Sequence, residues 1–221
     1  NRGLDVEALA PRWVAFVLAD RTDAVVALDW TDFDKDAHST LSLCLLTRHG
    51  RATPLLWKTV NKADLKDHRT AHERALLALL HRLLDDNVEV TLLADRGFGD
   101  QDLYVFLQAL GWDYVIRFRG NIVVTIGDQK QPAKDWVQGG RARLYKQVRV
   151  TTDQTEIPAA VFVQAKGMKE AWCLATTLSD ATASEVVQMS GPLGPAWGWA
   201  LVTLMTTILL LLACYAVRHY V

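Results

Sequence analysis

Short apolar runs, separated by polar and glycine-containing segments, dominate the first 120 residues and predict a mixed α/β fold. Runs rich in valine and leucine, which are typical of buried strands, lie at 24–30, 39–47, 52–60, 88–95 and 113–120. Leucine and alanine recur at helical spacing over 69–86 and 102–110, which predicts two amphipathic helices. Gly99 and Asp100 offer an N-cap for the second helix, and Gly111 is expected at its C-terminal end.

The order of these elements is three strands, a helix, a strand, a helix and a strand. Strands joined by short turns pair antiparallel, whereas helical crossovers join parallel strands. A compact sheet that satisfies both rules has the first strand at its centre. The hairpin of the second and third strands then lies on one side, and the fourth strand lies on the other. We therefore expect the α/β fold class, with a ribonuclease-H-like mixed sheet.

The pattern changes after residue 120. Four β-rich runs, NIVVTI, YKQVRVT, AAVFVQA and AWCLATTL, alternate with turn residues and predict a β-rich insertion. The segment DATASEVVQM then begins a helix that is capped by Asp180 or Thr182. From Ser190 to Val217 there is no charged residue, which predicts an apolar C-terminal helix. We expect three parts: a core over 1–120, the insertion over 121–178, and the terminal helix with its apolar segment over 179–221.

Two aspartates each close an apolar strand, Asp29 in AVVALD and Asp95 in VEVTLLAD. In the expected topology they end adjacent parallel strands, at the point where open α/β sheets place their sites. Carboxylate oxygens are preferred ligands of Mg²⁺ or Mn²⁺, and two such ions about 4 Å apart serve phosphodiester cleavage. The alternative is that each aspartate caps a turn or a helix. The pair in this strand order favours Asp29 and Asp95 as metal-binding catalytic residues, with Thr31 or Asp32 as their support.

Basic side chains cluster at or near strand ends in the second half of the chain: Arg117, Arg119, Arg141, Arg143, Lys146, Lys166 and Lys169. Such residues suit contacts to phosphates, and nearby tryptophans suit base stacking. Ordinary surface charge is the alternative for each residue taken alone. The net charge of −1 neither favours nor excludes a nucleic-acid partner, because an acidic metal site offsets a basic face.

The cysteines and the two ends of the chain bear on its location. Cys44, Cys173 and Cys214 are widely spaced and odd in number, which excludes a zinc ribbon or disulfide framework and predicts a cytoplasmic protein. The chain begins at Asn1 without an initiator methionine, as expected of a fragment. WGWALVTLMTTILLLLACYAV is long enough to span a bilayer, so a membrane anchor is an alternative to a core helix of an altered domain.

The segments ALDWTDFD, TRHGRATPLLWKTV, LADRGFGD, DYVIRFRGN and AKGMKEAWCLAT together resemble bacterial insertion-sequence DDE transposases. The similarity covers about residues 1–189 and is to the catalytic domain of the subgroup with a β-rich insertion. It implies a ribonuclease-H-like fold, magnesium ions, and two aspartates with a glutamate that cut and join DNA ends. Asp29 corresponds to the first acid and Asp95 to the second. Arg117 corresponds to a contact to DNA or to the site, and Arg119 is the second expected DNA contact.

The resemblance breaks at the third acid. The subgroup has a Tyr-x2-Arg-x3-Glu-x6-Lys signature on the helix after the insertion. At the corresponding positions this chain has Ser190, Leu193, Trp197 and Leu204. Glu185 lies on the same helix but about three turns too early, and Glu170 is a weaker substitute still. With one ligand fewer, the second metal ion is poorly held, so we expect cleavage to be strongly impaired.

Three functions follow as alternatives. The first is a DDE-type transposase catalytic domain that cleaves and joins double-stranded DNA at transposon ends, and a homodimer is expected for pairing of two ends. The second is a catalytically inactive DNA-binding remnant of such a domain. The third is a membrane-anchored protein with a cytosolic α/β domain.

Overall fold

The computed structural model describes residues 6–47 and 52–191. The helices of this part are α1 (Val6–Leu18), α2 (Arg69–Leu83), α3 (Gln101–Ala109) and α4 (Ala183–Ser190). The strands are β1 (Asp23–Phe33), β2 (His38–Leu46), β3 (Ala52–Asn61), β4 (Glu89–Ala94), β5 (Asp113–Phe118), β6 (Val123–Ile126), β7 (Gln129–Pro132), β8 (Arg143–Val150), β9 (Thr155–Val163) and β10 (Trp172–Thr176). Short 3-10 helices lie at Asp34–Asp36, Lys62–Leu65, Arg96–Phe98 and Ala133–Trp136.

One half of the sheet has the strand order β3-β2-β1-β4-β5. β1 pairs antiparallel with β2 and parallel with β4. β2 pairs antiparallel with β3, and β4 pairs parallel with β5. The central first strand and the helical crossovers α2 and α3 are those that the sequence predicts. The fold is a ribonuclease-H-like mixed sheet, and the predicted fold class is confirmed.

The other half of the sheet extends from β5 through β10, β9, β8, β6 and β7, with antiparallel pairing throughout. The four β-rich runs of the sequence form β6, β8, β9 and β10, whereas the polar strand β7 was not predicted. The β8–β9 hairpin bends near Gln147, whose φ angle is +53°. Its tip lies against α3, where the Thr151 hydroxyl donates to Gln101 Oε1 and Gln101 Nε2 donates to Asp153 Oδ2 at 2.9 Å. The hairpin tip is therefore anchored to the first residue of α3.

Alternate residues of β1 point to opposite faces of the sheet. Val26 and Leu28 lie in the larger hydrophobic core, which also contains side chains of α1, α2 and α3. Val25 faces the smaller core, which contains Val186 of α4. Asp29 is four residues after Val25, so it lies on the α4 face. Burial of each large side chain stabilises the fold by about 1.5–3 kcal/mol, and these contacts hold the end of β1 in place.

Helix α1 was not predicted, because the hydrophobic pattern gives no clear element over residues 1–23. Pro11 lies inside this helix, and proline disfavours helix interiors. Tertiary packing offsets that preference, because Val14 and Leu18 are buried. Trp13 Nε1 also donates to the carbonyl oxygen of Pro54 at 2.9 Å.

Helix ends differ from prediction by a few residues. α2 ends at Leu83, before the predicted residue 86, because Leu84 is already extended. Thr182 rather than Asp180 caps α4, and its side chain forms a capping box with Glu185. The predicted apolar helix after residue 191 lies outside the described residues. Among those that are described, no helix is both long enough and apolar enough to cross a bilayer.

Candidate active site

Asp29 and Asp95 are neighbours across the β1–β4 pair. The two strands run parallel, and their last registered pair joins Leu28 to Ala94. Asp29 and Asp95 directly follow these residues and share the sheet face of Leu93. Because adjacent strands lie about 4.8 Å apart, the fold brings together the two carboxylates that the sequence singles out.

The Asp29 carboxylate is held where its charged form is disfavoured. Burial raises the pKa of Asp29 above its ordinary value. The Thr31 hydroxyl, which donates to Asp29 Oδ2 at 3.2 Å, opposes this shift. The negative charge of Asp95 raises the pKa further. A cation close to both carboxylates would relieve the repulsion between Asp29 and Asp95. The Thr31 hydroxyl is placed to orient the Asp29 carboxylate.

The Asp95 carboxylate has one buried oxygen. Oδ1 lies 3.2 Å from Nη1 of Arg117, but the contact does not have hydrogen-bond geometry. Oδ1 has no hydrogen-bond partner, although the Asp95 side chain as a whole is 45% exposed. A buried carboxylate oxygen without a hydrogen bond is uncommon in folded proteins, and here only the ion pair with Arg117 offsets its burial.

Arg117 is the central residue of an ion-pair network beside Asp95. Its Nη2 atom lies 3.3 Å from Glu170 Oε1, and its guanidinium lies 4.7 Å from the centre of the Trp172 ring. Arg96 Nη1 contacts both oxygens of Glu170, at 2.9 and 3.1 Å. The Arg117 side chain is only 10% exposed. These contacts fix the position of the guanidinium. Glu170 contacts Arg117, which in turn contacts Asp95, so Glu170 is linked to the site indirectly and not as a metal ligand.

A second polar contact lies behind the site, on the opposite face of β1. Trp30 Nε1 donates to Glu73 Oε1 at 2.7 Å, and Arg69 lies 5.0 Å from the Trp30 ring. Glu73 is buried, and burial raises its pKa. Neither contact was predicted. Trp30 and Glu73 are 43 residues apart in sequence, Trp30 and Arg69 are almost as far apart, and no sequence motif links them. The pair fixes Trp30, and through it the backbone next to Asp29.

The remaining residues predicted for the site are Asp32 and Arg119. Asp32 accepts from Ser39 and forms ion pairs with Lys62 at 3.5 Å and Arg69 at 3.8 Å. It is therefore part of a surface charge network and does not contact Asp29 in the way that Thr31 does. Arg119 is exposed just after β5, and its side chain forms no ion pair among the described residues.

Asp29 and Asp95 fit a divalent cation as two of its ligands. Mg²⁺ is commonly bound by one or two carboxylates together with waters and phosphate oxygens, and Asp95 Oδ1, which lacks a hydrogen bond, would be one such oxygen in competition with Arg117. Within residues 6–47 and 52–191, no group of three or more histidine, cysteine, aspartate or glutamate side chains is arranged to hold a metal ion. Among the described residues, Asp29 and Asp95 are thus two candidate ligands without a third.

A ribonuclease-H-like mixed sheet thus carries neighbouring aspartates at the ends of β1 and β4. The sequence pattern of the transposase DDE domain matches residues 20–191. The match covers more than half of the 221 residues, so the chain belongs to the transposase DDE domain family. The resemblance noted in the sequence is confirmed at the level of this family.

The chain is also similar, at low identity, to solved structures. No curated protein matches the chain. Among solved structures, Marinitoga piezophila Argonaute in complex with 5′ OH guide RNA is similar at a TM-score of 0.32 and 10% identity, over 78% of this chain and 26% of that one. The same Argonaute with guide RNA and target DNA is similar at a TM-score of 0.29 and 10% identity, over 77% and 26%. The chain spans about a quarter of the length of these proteins.

Proposed function

We propose that this domain is the catalytic part of a DDE-type transposase that cleaves and joins DNA strands at transposon ends. Asp29 and Asp95 are the metal-binding catalytic residues, and Mg²⁺ or Mn²⁺ is the cofactor. The observation that carries the proposal is the placement of these carboxylates side by side at the ends of β1 and β4. The family match over residues 20–191 supports the same reaction class.

The reaction has two displacement steps at phosphorus. In hydrolysis, a water oxygen bonds to the phosphorus, the bond to the 3′ oxygen breaks, and a water proton passes to that oxygen to give a 3′-hydroxyl. In strand transfer, this 3′ oxygen bonds to a target phosphorus, and the departing target 3′ oxygen takes up the proton. Asp29 and Asp95 would hold the cation, and the Thr31 hydroxyl, which donates to Asp29 Oδ2, orients Asp29. A bound divalent ion supplies positive charge that polarises the phosphate oxygens.

The activity of this chain should be low. Its sequence has Trp197 where the subgroup has the third acid, and the described residues place no other carboxylate as a third ligand. Ser190 occupies the tyrosine position and is buried, with its hydroxyl donating to the Val187 carbonyl oxygen at 2.9 Å. A catalytically inactive DNA-binding remnant is therefore the second candidate function, and the absent glutamate favours it.

Further parts of the proposal follow from the family and the sequence. The substrate is double-stranded DNA, at transposon ends and target sites, and pairing of two ends requires at least a homodimer. Arg117 offsets the negative charge of Asp95, and Arg119 contacts DNA phosphate. The protein acts in the cytoplasm. The chain belongs to the insertion-sequence subgroup with a β-rich insertion, and residues 121–178 form that insertion on the 1–120 core.

A plasmid-nicking assay tests the proposal. Purified wild-type chain is incubated with supercoiled plasmid in Mn²⁺ or Mg²⁺, beside Asp29→Asn and Asp95→Asn. Asp128→Asn is the matched control, because Asp128 is an exposed aspartate in the β6–β7 turn. We expect slow, metal-dependent nicking by the wild type and the control, and none by the two site variants.

The outcomes separate the two candidates. Nicking that survives both Asp29→Asn and Asp95→Asn places the chemistry elsewhere and refutes the assignment. Wild-type chain that binds duplex DNA but never nicks it, in either metal, supports the inactive remnant.

A further inference from the structure

The sheet edge that carries Asp29 and Asp95 has an uneven distribution of charge. Because β1, β3, β4 and β5 run in the same direction, their C-terminal ends share this edge. On the β1–β2–β3 side, residues 32–36 and 58–69 carry five cationic and five anionic side chains. Several are paired, such as Lys62 with Asp34 at 2.5 Å and Arg69 with Asp32 at 3.8 Å. This side is balanced in charge.

The side beyond β5 is basic. A row in register across β5, β10, β9 and β8 joins Phe118, Cys173, Phe162 and Arg143, so the start of β8 lies at the same edge as the end of β5. The β9–β10 loop, residues 164–171, leaves the sheet at this edge, because Val163 pairs with Trp172.

The segment before β8 returns to the same edge. The Lys134 backbone N–H donates to the Gly120 carbonyl oxygen at 2.9 Å, which places the 3-10 helix of residues 133–136 beside the end of β5. A Cβ built on Gly140 would lie 3.7 Å from the Gln164 carbonyl oxygen, so the segment also passes next to the β9–β10 loop.

These three segments, residues 119–122, 133–143 and 164–171, contain two anionic residues, Asp135 and Glu170. They contain six cationic side chains, which together we term the basic rim: Arg119, Lys134, Arg141, Arg143, Lys166 and Lys169. All six are exposed, and none has an ion pair among the described residues. Glu170 is already bound by Arg96 and Arg117, so it does not neutralise the rim.

On the basis of the function proposed above, we propose that the basic rim is the surface on which the DNA duplex lies as it leaves the active site. Five strand spacings separate β1 from β8, which is about 24 Å along the edge. At 3.4 Å per base pair, this length matches roughly seven base pairs. Exposed cationic side chains without ion pairs are suited to bind phosphates. Their binding releases counterions from the DNA, and no ion pair within the protein has to be broken. The duplex runs toward β8 and away from the balanced β3 side.

Variants with two charge reversals each test on which side of the active site the duplex lies. The rim variant is Lys166→Glu with Lys169→Glu, and the control is Lys58→Glu with Lys66→Glu on the balanced side, where both lysines are also exposed. Binding of the full chain to a duplex of about 30 base pairs is followed by fluorescence anisotropy in EDTA at several salt concentrations. We expect the rim variant to lose roughly tenfold or more in affinity and to lower the salt slope by about two, whereas the control stays near wild type.

A second rim pair, Arg141→Glu with Arg143→Glu, is measured in parallel, and thermal unfolding identifies any variant that does not fold. Wild-type affinity in the folded rim variants, or an equal loss in the control, overturns the proposal. Failure of the proposed function is seen separately, because EDTA prevents cleavage. If nicking survives Asp29→Asn and Asp95→Asn, the proposed active site is wrong, but the binding result for the rim still stands. If those two substitutions abolish nicking while the rim variants bind DNA like wild type, only the proposal for the rim is refuted.

Discussion

The guanidinium of Arg117 lies beside Asp95, with Nη1 of the arginine 3.2 Å from Oδ1 of the aspartate. This is the same oxygen that is buried without a hydrogen bond and that we expect to contact a divalent cation. Arg117 is also bound by Glu170 at 3.3 Å and lies 4.7 Å from the centre of the Trp172 ring, so it does not leave the site easily. The arginine therefore offsets the negative charge of Asp95, and at the proposed metal site it would compete with the metal ion.

Arg117→Gln should tighten divalent metal binding. The substitution removes a positive charge from Asp95, and two unpaired carboxylates attract a cation more strongly. We expect the Kd for Mn²⁺, measured by electron paramagnetic resonance, to fall by about three- to tenfold, which corresponds to roughly 1 kcal/mol. Arg96→Gln is the control, because the Arg96 guanidinium pairs with Glu170, whereas Asp95 pairs with Arg117. Weaker Mn²⁺ binding by Arg117→Gln would mean that the arginine mainly holds Asp95 in position.

Gly99→Ala should destabilise the segment after Asp95. A Cβ at this position would lie 3.0 Å from both the Arg117 carbonyl oxygen and Phe118 Cβ, which is tighter than most Cβ contacts in folded proteins, so the β5 backbone must shift by a few tenths of an ångström. We expect a loss of about 1–3 kcal/mol in the free energy of unfolding, measured by urea denaturation. Gly97→Ala is a matched control two residues earlier, because its Cβ would meet no atom within 4 Å. Equal effects of the two changes would contradict the close approach at Gly99.

Asp29→Asn should stabilise the protein at neutral pH. The pKa of Asp29 is raised in the folded state, mainly by burial, so the folded state holds its proton more tightly than the unfolded state. Stability therefore falls as the pH rises from the ordinary aspartate pKa through the raised one. Asparagine removes this loss, and Tm at pH 7 without metal should rise by on the order of a few degrees. The difference between variant and wild type should shrink below the ordinary pKa, and a difference independent of pH would contradict this account.

Glu73 should be replaceable by glutamine but not by leucine. Glutamine keeps an acceptor for Trp30 Nε1 and removes a carboxylate whose pKa is raised by burial, so Glu73→Gln should be as stable as wild type at pH 7 or more so. Leucine leaves the indole N–H without its partner, with a loss of about 1–3 kcal/mol in the free energy of unfolding. Chemical denaturation followed by tryptophan fluorescence measures both. A leucine variant as stable as the glutamine variant would show that this hydrogen bond contributes little.

The core strand order could be predicted because strand and helix patterns alternate plainly over residues 24–120, and the rules of chain connection leave one compact arrangement. The neighbouring positions of Asp29 and Asp95 follow from that order. The link from Arg117 to Glu170 could not be predicted, because it joins residues 53 apart whose positions depend on the β10 register. Helix α1 was missed for a similar reason, since the packing of Val14 and Leu18 outweighs the unfavourable Pro11.

A Mn²⁺ titration of the wild type, Asp29→Asn and Asp95→Asn, followed by electron paramagnetic resonance, tests the carboxylate pair most directly, because it depends neither on DNA nor on turnover. Asp128→Asn serves as the control for loss of one exposed carboxylate. We predict one saturable site in the wild type and the control, with Kd in roughly the micromolar-to-millimolar range, and its loss in each site variant. Saturable binding that persists with unchanged affinity in either Asp29→Asn or Asp95→Asn would contradict a shared metal site at the ends of β1 and β4.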